Sequence, residues 1–263
     1  CVGNIYLGGT GKTPLVDYLG INLRKKFRTV IIKKNYSDQL DEKRLLEINN
    51  RVLFMKSRVS SLNIAIQKKF ELAIFDDGLQ DKSIRYDLKI VCFDPFTLAG
   101  NQLRLPSGPL RESLDKMKKY DVVFFKGKYG NQKFLKKIKR INPNIGVFYG
   151  DYLCTNPKKF KKNFYLVFSG IGNPNSFKDT LKKYKIKFAL HKVFPDHYNY
   201  SKFDMFNIRK IAKSKNLKIL TTEKDYYRIP KKFRKNIQFL KMKLKVKNSK
   251  KFDSFIKKYL WKQ

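Results

Sequence analysis

The stretch that decides the fold stands at the start of the chain, where residues 1–23 read CVGNIYLGGTGKTPLVDYLGINL. An apolar segment, CVGNIYL, leads into a glycine-rich turn, and the residues after the turn have the apolar spacing of a helix. Strand, glycine-rich turn and helix are the parts of a phosphate-binding loop, because backbone N–H groups of the turn and the helix N-terminus surround an anion. The sequence therefore predicts a nucleotide site at this turn.

The turn departs from the usual Walker A pattern at one position. That pattern is Gly, four residues, then Gly-Lys-[Ser/Thr], and Tyr6 stands where the first glycine is expected. Tyr6 removes no group that touches phosphate, whereas Lys12 is suited to the β- and γ-phosphates and the Thr13 hydroxyl to Mg²⁺. The alternative is a glycine-rich turn before an ordinary helix. We predict an ATP-binding loop made of Tyr6, Leu7, Gly8, Gly9, Thr10, Gly11, Lys12 and Thr13.

A second motif, ELAIFDDGLQD at residues 71–81, ends an apolar strand with the carboxylates of Asp76 and Asp77. P-loop proteins hold Mg²⁺ with a carboxylate at a strand end, opposite the hydroxyl of the loop. Asp-Asp-Gly alone is typical of a turn. Downstream of a Walker-type loop, we interpret Asp76 and Asp77 as metal ligands.

Two further acidic residues and one histidine have ordinary structural explanations. Asp41 and Glu42 begin a predicted helix, where acids interact favourably with the helix dipole. His197 is one of two histidines in the chain, and a lone histidine is more often structural than catalytic. The residues alone therefore do not assign these three to a site.

Apolar runs alternate with helix-period segments along the chain, which predicts an α/β fold with parallel sheets. Residues 131–163 are basic and punctuated by proline and asparagine, so we place a junction there. We predict a P-loop NTPase-like parallel sheet lobe over residues 1–145 and a second, smaller α/β lobe over 146–263.

The net charge of +39 favours anionic partners. Lysine far outnumbers arginine, and the chain is also rich in Ile, Asn, Tyr and Phe, so A/T-rich codons account for part of the excess. For the rest, an anionic membrane surface ranks ahead of nucleic acid, because base and phosphate recognition often uses arginine forks. The three cysteines have no metal-like spacing and indicate a reducing compartment.

These motifs together resemble one family, the tetraacyldisaccharide 4′-kinases, which are lipid A kinases of the inner membrane. The resemblance covers nearly the whole chain, and GNxxxGGTGKTP without the first Walker glycine is the family's own form of the loop. The matching segments are VGNIYLGGTGKTP (2–14), LDE (40–42), FDDGLQD (75–81), LPSGPLRES (105–113), FSGIGNPNSF (168–177), FPDHYNY (194–200) and TTEKDYYR (221–228).

The resemblance implies an ATP- and Mg²⁺-dependent kinase that phosphorylates the 4′-hydroxyl of a tetraacyldisaccharide 1-phosphate, giving lipid IVA. Asp41 matches the general base of the family, and His197 matches the histidine paired with that base. The other implied site residues are Glu42, Asp76 and Asp77 near Mg²⁺, and Arg111 and Glu112 facing the nucleotide or a substrate phosphate.

The resemblance also implies two α/β/α lobes joined by a β-ribbon, with the active site in a cleft between them and His197 contributed by the second lobe. The family has an N-terminal membrane helix, so we expect an anchor in a segment preceding Cys1, at the cytoplasmic face of the inner membrane. The expected partners are the lipid disaccharide substrate and an anionic membrane surface, with no specific nucleic acid, and we expect a monomer. The alternative function, suggested by charge alone, is a nucleic-acid-binding P-loop ATPase.

Overall fold

The computed structural model of the chain describes residues 1–8, 10–36, 40–127 and 131–260. Its contacts divide the chain into two units: Cys1–Asn35, Leu46–Tyr152 and Leu244–Gln263 form the first, and Tyr36–Leu45 and Leu153–Lys243 form the second. The predicted division at residue 145 follows chain order. In the structure, a short early segment belongs with the second unit and the C-terminal segment belongs with the first.

The strands, in chain order, are β1 (Val2–Gly3), β2 (Thr29–Lys34), β3 (Val52–Met55), β4 (Leu72–Asp76), β5 (Ile90–Phe93), β6 (Val122–Lys126), β7 (Gly146–Cys154), β8 (Tyr165–Ser169), β9 (Phe188–Val193), β10 (Lys218–Thr222), β11 (Ile237–Leu240) and β12 (Met242–Val246). The helices are α1 (Lys12–Leu23), α2 (Leu40–Glu47), α3 (Arg58–Gln67), α4 (Gln132–Ile141), α5 (Pro174–Lys183), α6 (Lys202–Ser214), α7 (Glu223–Arg228) and α8 (Ser249–Leu260).

An eight-stranded sheet forms the first unit, with the strand order β12-β7-β6-β5-β1-β4-β2-β3. Its β1 pairs in parallel with β4 on one side and β5 on the other, and Val2 is the residue aligned with Asp76. Because the carboxyl ends of parallel strands meet at one edge of the sheet, the turn after β1 and the acids at the end of β4 share that edge. This register brings the two sequence motifs together.

Apolar residues cover both faces of this sheet. Along β5, Ile90 and Cys92 join one core cluster, whereas Val91 and Phe93 join the other. Such alternation places successive side chains on opposite faces of a strand that is buried on both sides. Helices α1 and α8 contribute to the first cluster and α4 to the second, so the first unit has three layers.

The second unit contains a four-stranded parallel sheet in the order β11-β10-β8-β9. Helix α5 packs through Phe177 and Leu181 into one apolar cluster, and α6 packs through Met205 and Ile208 into another. Both units therefore confirm the predicted α/β class. Among the helices in the described part of the chain, none combines the length and apolar character needed to cross a bilayer.

Candidate active site

The glycine-rich turn connects β1 to α1 as the sequence predicts. Gly11 precedes the first residue of α1 with φ of 85°, and Gly8 has φ of 128°. A Cβ atom built on Gly11 would lie 2.7 Å from the hydroxyl oxygen of Tyr152, so both the backbone conformation and the available space require glycine. Gly9, also predicted to bind ATP, lies outside the described residues.

We expect Gly11→Ala to weaken both folding and nucleotide binding. The left-handed conformation costs a non-glycine residue about 1–2 kcal/mol, and the added methyl group also meets Tyr152. Denaturant unfolding and equilibrium binding of a fluorescent ATP analogue measure the two effects. Tyr152→Phe in the Gly11→Ala background removes the steric contact together with the long hydrogen bond from the Tyr152 hydroxyl to the Gly11 carbonyl oxygen (3.4 Å), so it should restore part of the loss when compared with Tyr152→Phe alone. Unchanged stability and affinity in Gly11→Ala would contradict this account.

Asn4 fastens the turn from the end of β1, a role that the sequence analysis missed. Its buried side-chain amide donates to the carbonyl oxygens of Tyr6 (2.6 Å) and Gly8 (3.1 Å), and its Oδ1 accepts from Lys12 Nζ (3.0 Å). One side chain therefore holds both the loop backbone and its lysine. A polar residue between apolar strand residues is the signal that could have identified it.

The cations of the loop edge converge on Asp77. Lys12 Nζ lies 3.4 Å from Asp77 Oδ1, and Arg111 Nη1 donates to both carboxylate oxygens at 3.1 Å. Burial alone would raise the pKa of Asp77, but the charges of Lys12 and Arg111 outweigh burial and lower it. The structure thus brings together three of the predicted residues, and Asp77 is ionised at neutral pH.

Asp76 lies beside the first turn of α1, as expected of a strand-end carboxylate in a P-loop fold. The Thr13 hydroxyl donates to Asp76 Oδ2 at 3.2 Å, and Lys33 Nζ lies 2.9 Å from the same oxygen. The other oxygen, Oδ1, is buried and makes no hydrogen bond to the described residues. A hydroxyl oxygen and an unsatisfied carboxylate oxygen are hard donors, which fit Mg²⁺.

The remaining loop residues contact the segment that contains the GPLRE sequence. Tyr6 forms an isolated antiparallel bridge with Leu110, and the Leu7 amide donates to the Pro109 carbonyl oxygen at 2.9 Å. The Leu7 side chain is exposed, whereas the Thr10 hydroxyl is buried and makes no hydrogen bond to the described residues. The segment with Arg111 is thereby fixed against the loop.

Glu112 has an evident anchoring function. Its Oε2 accepts from the Tyr120 hydroxyl (2.6 Å) and from Gln80 Nε2 (3.3 Å), and Gln80 Nε2 also donates to the Asn4 carbonyl oxygen (2.9 Å). Glu112 therefore links the GPLRE segment to the end of β1. The predicted contact of Glu112 with a phosphate stays a prediction.

In the second unit, Asp41 lies in the first turn of α2 and its side chain is 2 % exposed. Arg228 donates to Asp41 Oδ2 from Nε at 3.0 Å, and its Nη2 lies 2.9 Å from the same oxygen. The other oxygen, Oδ1, lies 4.0 Å from His197 Nδ1, longer than a hydrogen bond. Asp41 and His197 lie near each other without a hydrogen bond, and Arg228 is the residue that binds the carboxylate. The implied pairing of base and histidine stays a prediction.

Lys224 lies at the centre of the charged groups around Asp41. Its Nζ is 3.2 Å from Glu42 Oε1, 3.3 Å from His197 Nε2 and 3.8 Å from Asp41 Oδ2. His197 is held with φ of 58°, a left-handed conformation that non-glycine residues seldom adopt outside special sites. Glu42, predicted near Mg²⁺, is paired here with Lys224. The described part of the chain contains no cluster of three or more His, Cys, Asp or Glu side chains arranged to hold a metal ion.

Comparisons with known proteins agree on one family. The family profile described as tetraacyldisaccharide-1-P 4′-kinase matches residues 1–261. The tetraacyldisaccharide 4′-kinase of Pelagibacter ubique is 47 % identical over 95 % of this chain and 81 % of its own length, and that of Rickettsia felis is 33 % identical over 94 % and 80 %. The ATP complex of the Aquifex aeolicus protein LpxK superposes with a TM-score of 0.75 at 24 % identity, covering 99 % of this chain and 87 % of the other.

Proposed function

Because the chain belongs to the tetraacyldisaccharide-1-P 4′-kinase family, we propose that it transfers the γ-phosphoryl group of ATP to the 4′-hydroxyl of a tetraacyldisaccharide 1-phosphate, giving lipid IVA. The names of its relatives give the reaction and the lipid disaccharide substrate. The ATP complex of the Aquifex aeolicus protein supports ATP as the donor. Within this chain, the observation that carries the proposal is the contact of the Thr13 hydroxyl with Asp76, beside the Gly11–Lys12 turn.

ATP binds, in this proposal, through the turn after β1. The backbone N–H groups at the start of α1 surround the phosphates, and Lys12 neutralises the β- and γ-phosphates. Arg111 binds the Asp77 carboxylate, which Lys12 also contacts, with its Nη1 3.1 Å from Asp77 Oδ1. It supplies a second positive charge at the carboxyl edge of the sheet. Excess positive charge and an N-terminal helix dipole both favour a polyphosphate there.

Mg²⁺ is the metal that suits the oxygen donors beside the loop. Thr13, Asp76 and Asp77 would hold it in the first unit, and Glu42 is the further candidate that the family resemblance implies. The support is the buried Asp76 Oδ1, which makes no hydrogen bond to the residues that the structure describes. When bound, Mg²⁺ would neutralise the negative charge that develops during phosphoryl transfer.

Asp41 is the proposed general base. Its Oδ1 accepts the proton of the 4′-hydroxyl, while the hydroxyl oxygen forms the new bond to the γ-phosphorus. The bond from that phosphorus to the β-bridging oxygen breaks, and ADP leaves with the electron pair. We assign His197 to orient or tune Asp41; the support is the 4.0 Å separation between His197 Nδ1 and Oδ1.

A lipid acceptor also accounts for part of the charge. Each lysine or arginine near an anionic bilayer contributes about 1 kcal/mol of attraction, and this chain carries a net charge of +39. We therefore propose that the protein acts at an anionic membrane surface. The family resemblance favours the cytoplasmic face of the inner membrane, and a monomer stays our expectation.

The test is transfer of ³²P from γ-labelled ATP to tetraacyldisaccharide 1-phosphate dispersed in detergent, with and without Mg²⁺. Labelled lipid that depends on both ATP and Mg²⁺ supports the proposal. ATP hydrolysis that RNA or DNA stimulates, without labelled lipid, would overturn it in favour of the nucleic-acid ATPase. Heparin binding is no substitute, because any chain of this charge should bind heparin.

A further inference from the structure

The two oxygens of the Asp41 carboxylate have different surroundings. Arg228 approaches Oδ2 from both Nε (3.0 Å) and Nη2 (2.9 Å), and Lys224 Nζ lies 3.8 Å from it. Oδ1 is buried and makes no hydrogen bond to the described residues. A carboxylate whose one oxygen is held by charge-assisted contacts presents the other in a fixed direction as the proton acceptor.

Arg228 is itself fixed by a buried network. Its Nη1 donates to Asp225 Oδ1 (3.1 Å) and to the Gly170 carbonyl oxygen. Asp225, which is fully buried, also accepts from the Gly170 amide (3.1 Å), the Tyr200 hydroxyl (3.0 Å) and the Thr222 hydroxyl (2.6 Å). The guanidinium group therefore cannot turn away from Asp41 without breaking its contacts with Asp225 and Gly170.

The backbone around this network is tied down as well. Thr222 caps α7, and Asp225 and Arg228 lie one turn apart on that helix. Arg44 of α2 donates to the Tyr227 carbonyl oxygen at 2.7 Å, which joins the helix carrying Asp41 to the helix carrying Arg228. These bonds fix the distance between base and guanidinium through the main chain.

Stability alone is a poor explanation for such a group. Desolvating two charges costs about as much as their attraction returns, and apolar residues of similar volume often replace buried ion pairs without loss. Here Asp41 and Arg228 are 2 % and 4 % exposed, yet one carboxylate oxygen stays unsatisfied by the described residues. The energetic cost of this buried, unsatisfied oxygen is better explained if Oδ1 has a chemical function as a proton acceptor.

We propose that Arg228, anchored by Asp225, is a positioning residue that binds Oδ2 of Asp41 and so directs Oδ1 at the hydroxyl to be phosphorylated. The inference rests on the proposed function of Asp41 as base. Arg228 touches neither substrate nor ATP in this mechanism and acts only through Asp41.

The test compares Arg228→Ala and Arg228→Lys in the lipid phosphorylation assay. Misplacing a reacting group by about 1 Å costs roughly 10²-fold in rate, so we expect Arg228→Ala to lose kcat on that scale, with unchanged KM for ATP. Arg228→Lys should recover part of the rate, and added guanidinium should partly rescue Arg228→Ala. Arg209→Ala is the matched control, because Arg209 also donates to main-chain carbonyl oxygens of the second unit, those of Phe233 and Lys235, rather than to any residue of the network around Asp41; its kcat should stay near that of the unsubstituted chain.

A double variant separates failure of this inference from failure of the base assignment. In the Asp41→Asn background, Arg228→Ala should cause no further loss, because its effect passes through Asp41. An Asp41→Asn chain that keeps full activity overturns the base. An inactive Asp41→Asn chain together with a fully active Arg228→Ala chain overturns the positioning role alone. If Arg228→Ala does not fold, the near-isosteric Asp225→Asn should show the same kcat loss with unchanged KM, and its full activity would overturn the proposal.

A second, independent observation concerns the outward face of α6. Phe203 and Phe206 are 71 % and 62 % exposed, although phenylalanine is usually buried. Lys210 and Lys213 follow at helical spacing and are exposed on the same face, whereas Met205 and Ile208 pack into the core. The acidic residue of α6, Asp204, is bound to Ser201 in the N-terminal cap. We call four residues the α6 stripe: Phe203, Phe206, Lys210 and Lys213.

We propose that the α6 stripe docks on an anionic lipid bilayer. The stripe combines phenylalanines with lysines and contains no acid. In the headgroup region of a bilayer the phenylalanine rings can insert at the boundary with the acyl chains, while the lysine ammonium groups contact anionic lipid headgroups. The inference deepens the proposed membrane location and rests on it.

The experiment uses Phe206→Trp in a Trp261→Phe background and adds vesicles of phosphatidylcholine with phosphatidylglycerol. We expect a shift of emission to shorter wavelength and quenching by brominated lipid. The control is Phe96→Trp in the same background, because Phe96 is 89 % exposed but its sequence neighbours, FDPFTLAG, include an aspartate and no lysine; its emission should not change.

Three outcomes would overturn the docking proposal: an unchanged spectrum of Phe206→Trp, equal changes in both variants, or a shift that needs concentrated protein but no vesicles. Phosphorylation of detergent-dispersed substrate should be normal in both variants. The docking test therefore stays distinct from the test of the proposed activity.

Discussion

Asp41→Asn should lower the rate of lipid phosphorylation by about 10²–10⁴-fold, the usual contribution of a positioned general base. The amide keeps the size of the side chain but cannot accept the hydroxyl proton. ATP binding should be unchanged, because no residue of the loop after β1 is altered. Transfer of ³²P to the lipid measures the first quantity, and equilibrium binding of a fluorescent ATP analogue measures the second.

The matched control for this variant is Asp179→Asn, which removes the same charge from an exposed position on α5. It should leave both rate and affinity unchanged. The Asp41→Asn change also takes the buried carboxylate partner away from Arg228, so thermal unfolding must be measured in parallel. A folded Asp41→Asn chain with an unreduced rate would remove Asp41 from the mechanism.

Lys12→Ala should have the second large effect, a loss of about 10²–10³-fold in transfer, the scale on which one preorganised donor contributes. Unlike Asp41→Asn, this variant should also bind ATP more weakly, since the proposed contact of Lys12 with the phosphates is made in the ground state as well. Lys25→Ala removes the same charge from an exposed position just after α1 and serves as the control. Equal ATP affinities of the Lys12 and Lys25 variants would contradict the phosphate-binding role.

The same variant should change how stability depends on pH. Lys12 and Arg111 outweigh burial and lower the pKa of Asp77, so the ionised carboxylate stabilises the fold above its ordinary pKa of 3.8. That contribution is lost as the pH falls through the lowered pKa. Without Lys12 the pKa of Asp77 rises, and the free energy of unfolding should decrease less between neutral and acidic pH than in the unsubstituted chain. Urea unfolding at several pH values measures the difference.

The arrangement of the loop after β1 and of Asp76 could be predicted from sequence because its geometry is local. Strand, glycine turn and helix are contiguous, and one rule of parallel sheets then places Asp76 beside Thr13. Asn4 stands out in the sequence only as a polar residue among apolar ones. Its contacts could not be predicted, because they depend on the path of the loop backbone around its side chain. The α/β class could be predicted because apolar runs alternate with helix-period segments along the chain.

The surroundings of Asp41, the proposed base, could not be derived in the same way. Asp41 and Arg228 are 187 residues apart, and no sequence pattern near either residue indicates that the two side chains are in contact. The TTEKDYYR segment (221–228) contains four charged residues, so by composition alone it could be an ordinary solvent-exposed turn. Only folding shows that Arg228, held by Asp225, binds the carboxylate of Asp41.

The path of the chain has a consequence for how this protein can be divided or recombined. Because Tyr36–Leu45 belongs with the second unit and Leu244–Gln263 with the first, no single cut in the sequence separates one unit from the other. A single crossover between relatives anywhere from residue 46 to residue 152 would take Asp41 from one parent and Arg228 from the other. Such a chimera would therefore pair a base and an arginine that come from different parents. Likewise, two fragments made by a cut in that interval should regain activity only when they are supplied together.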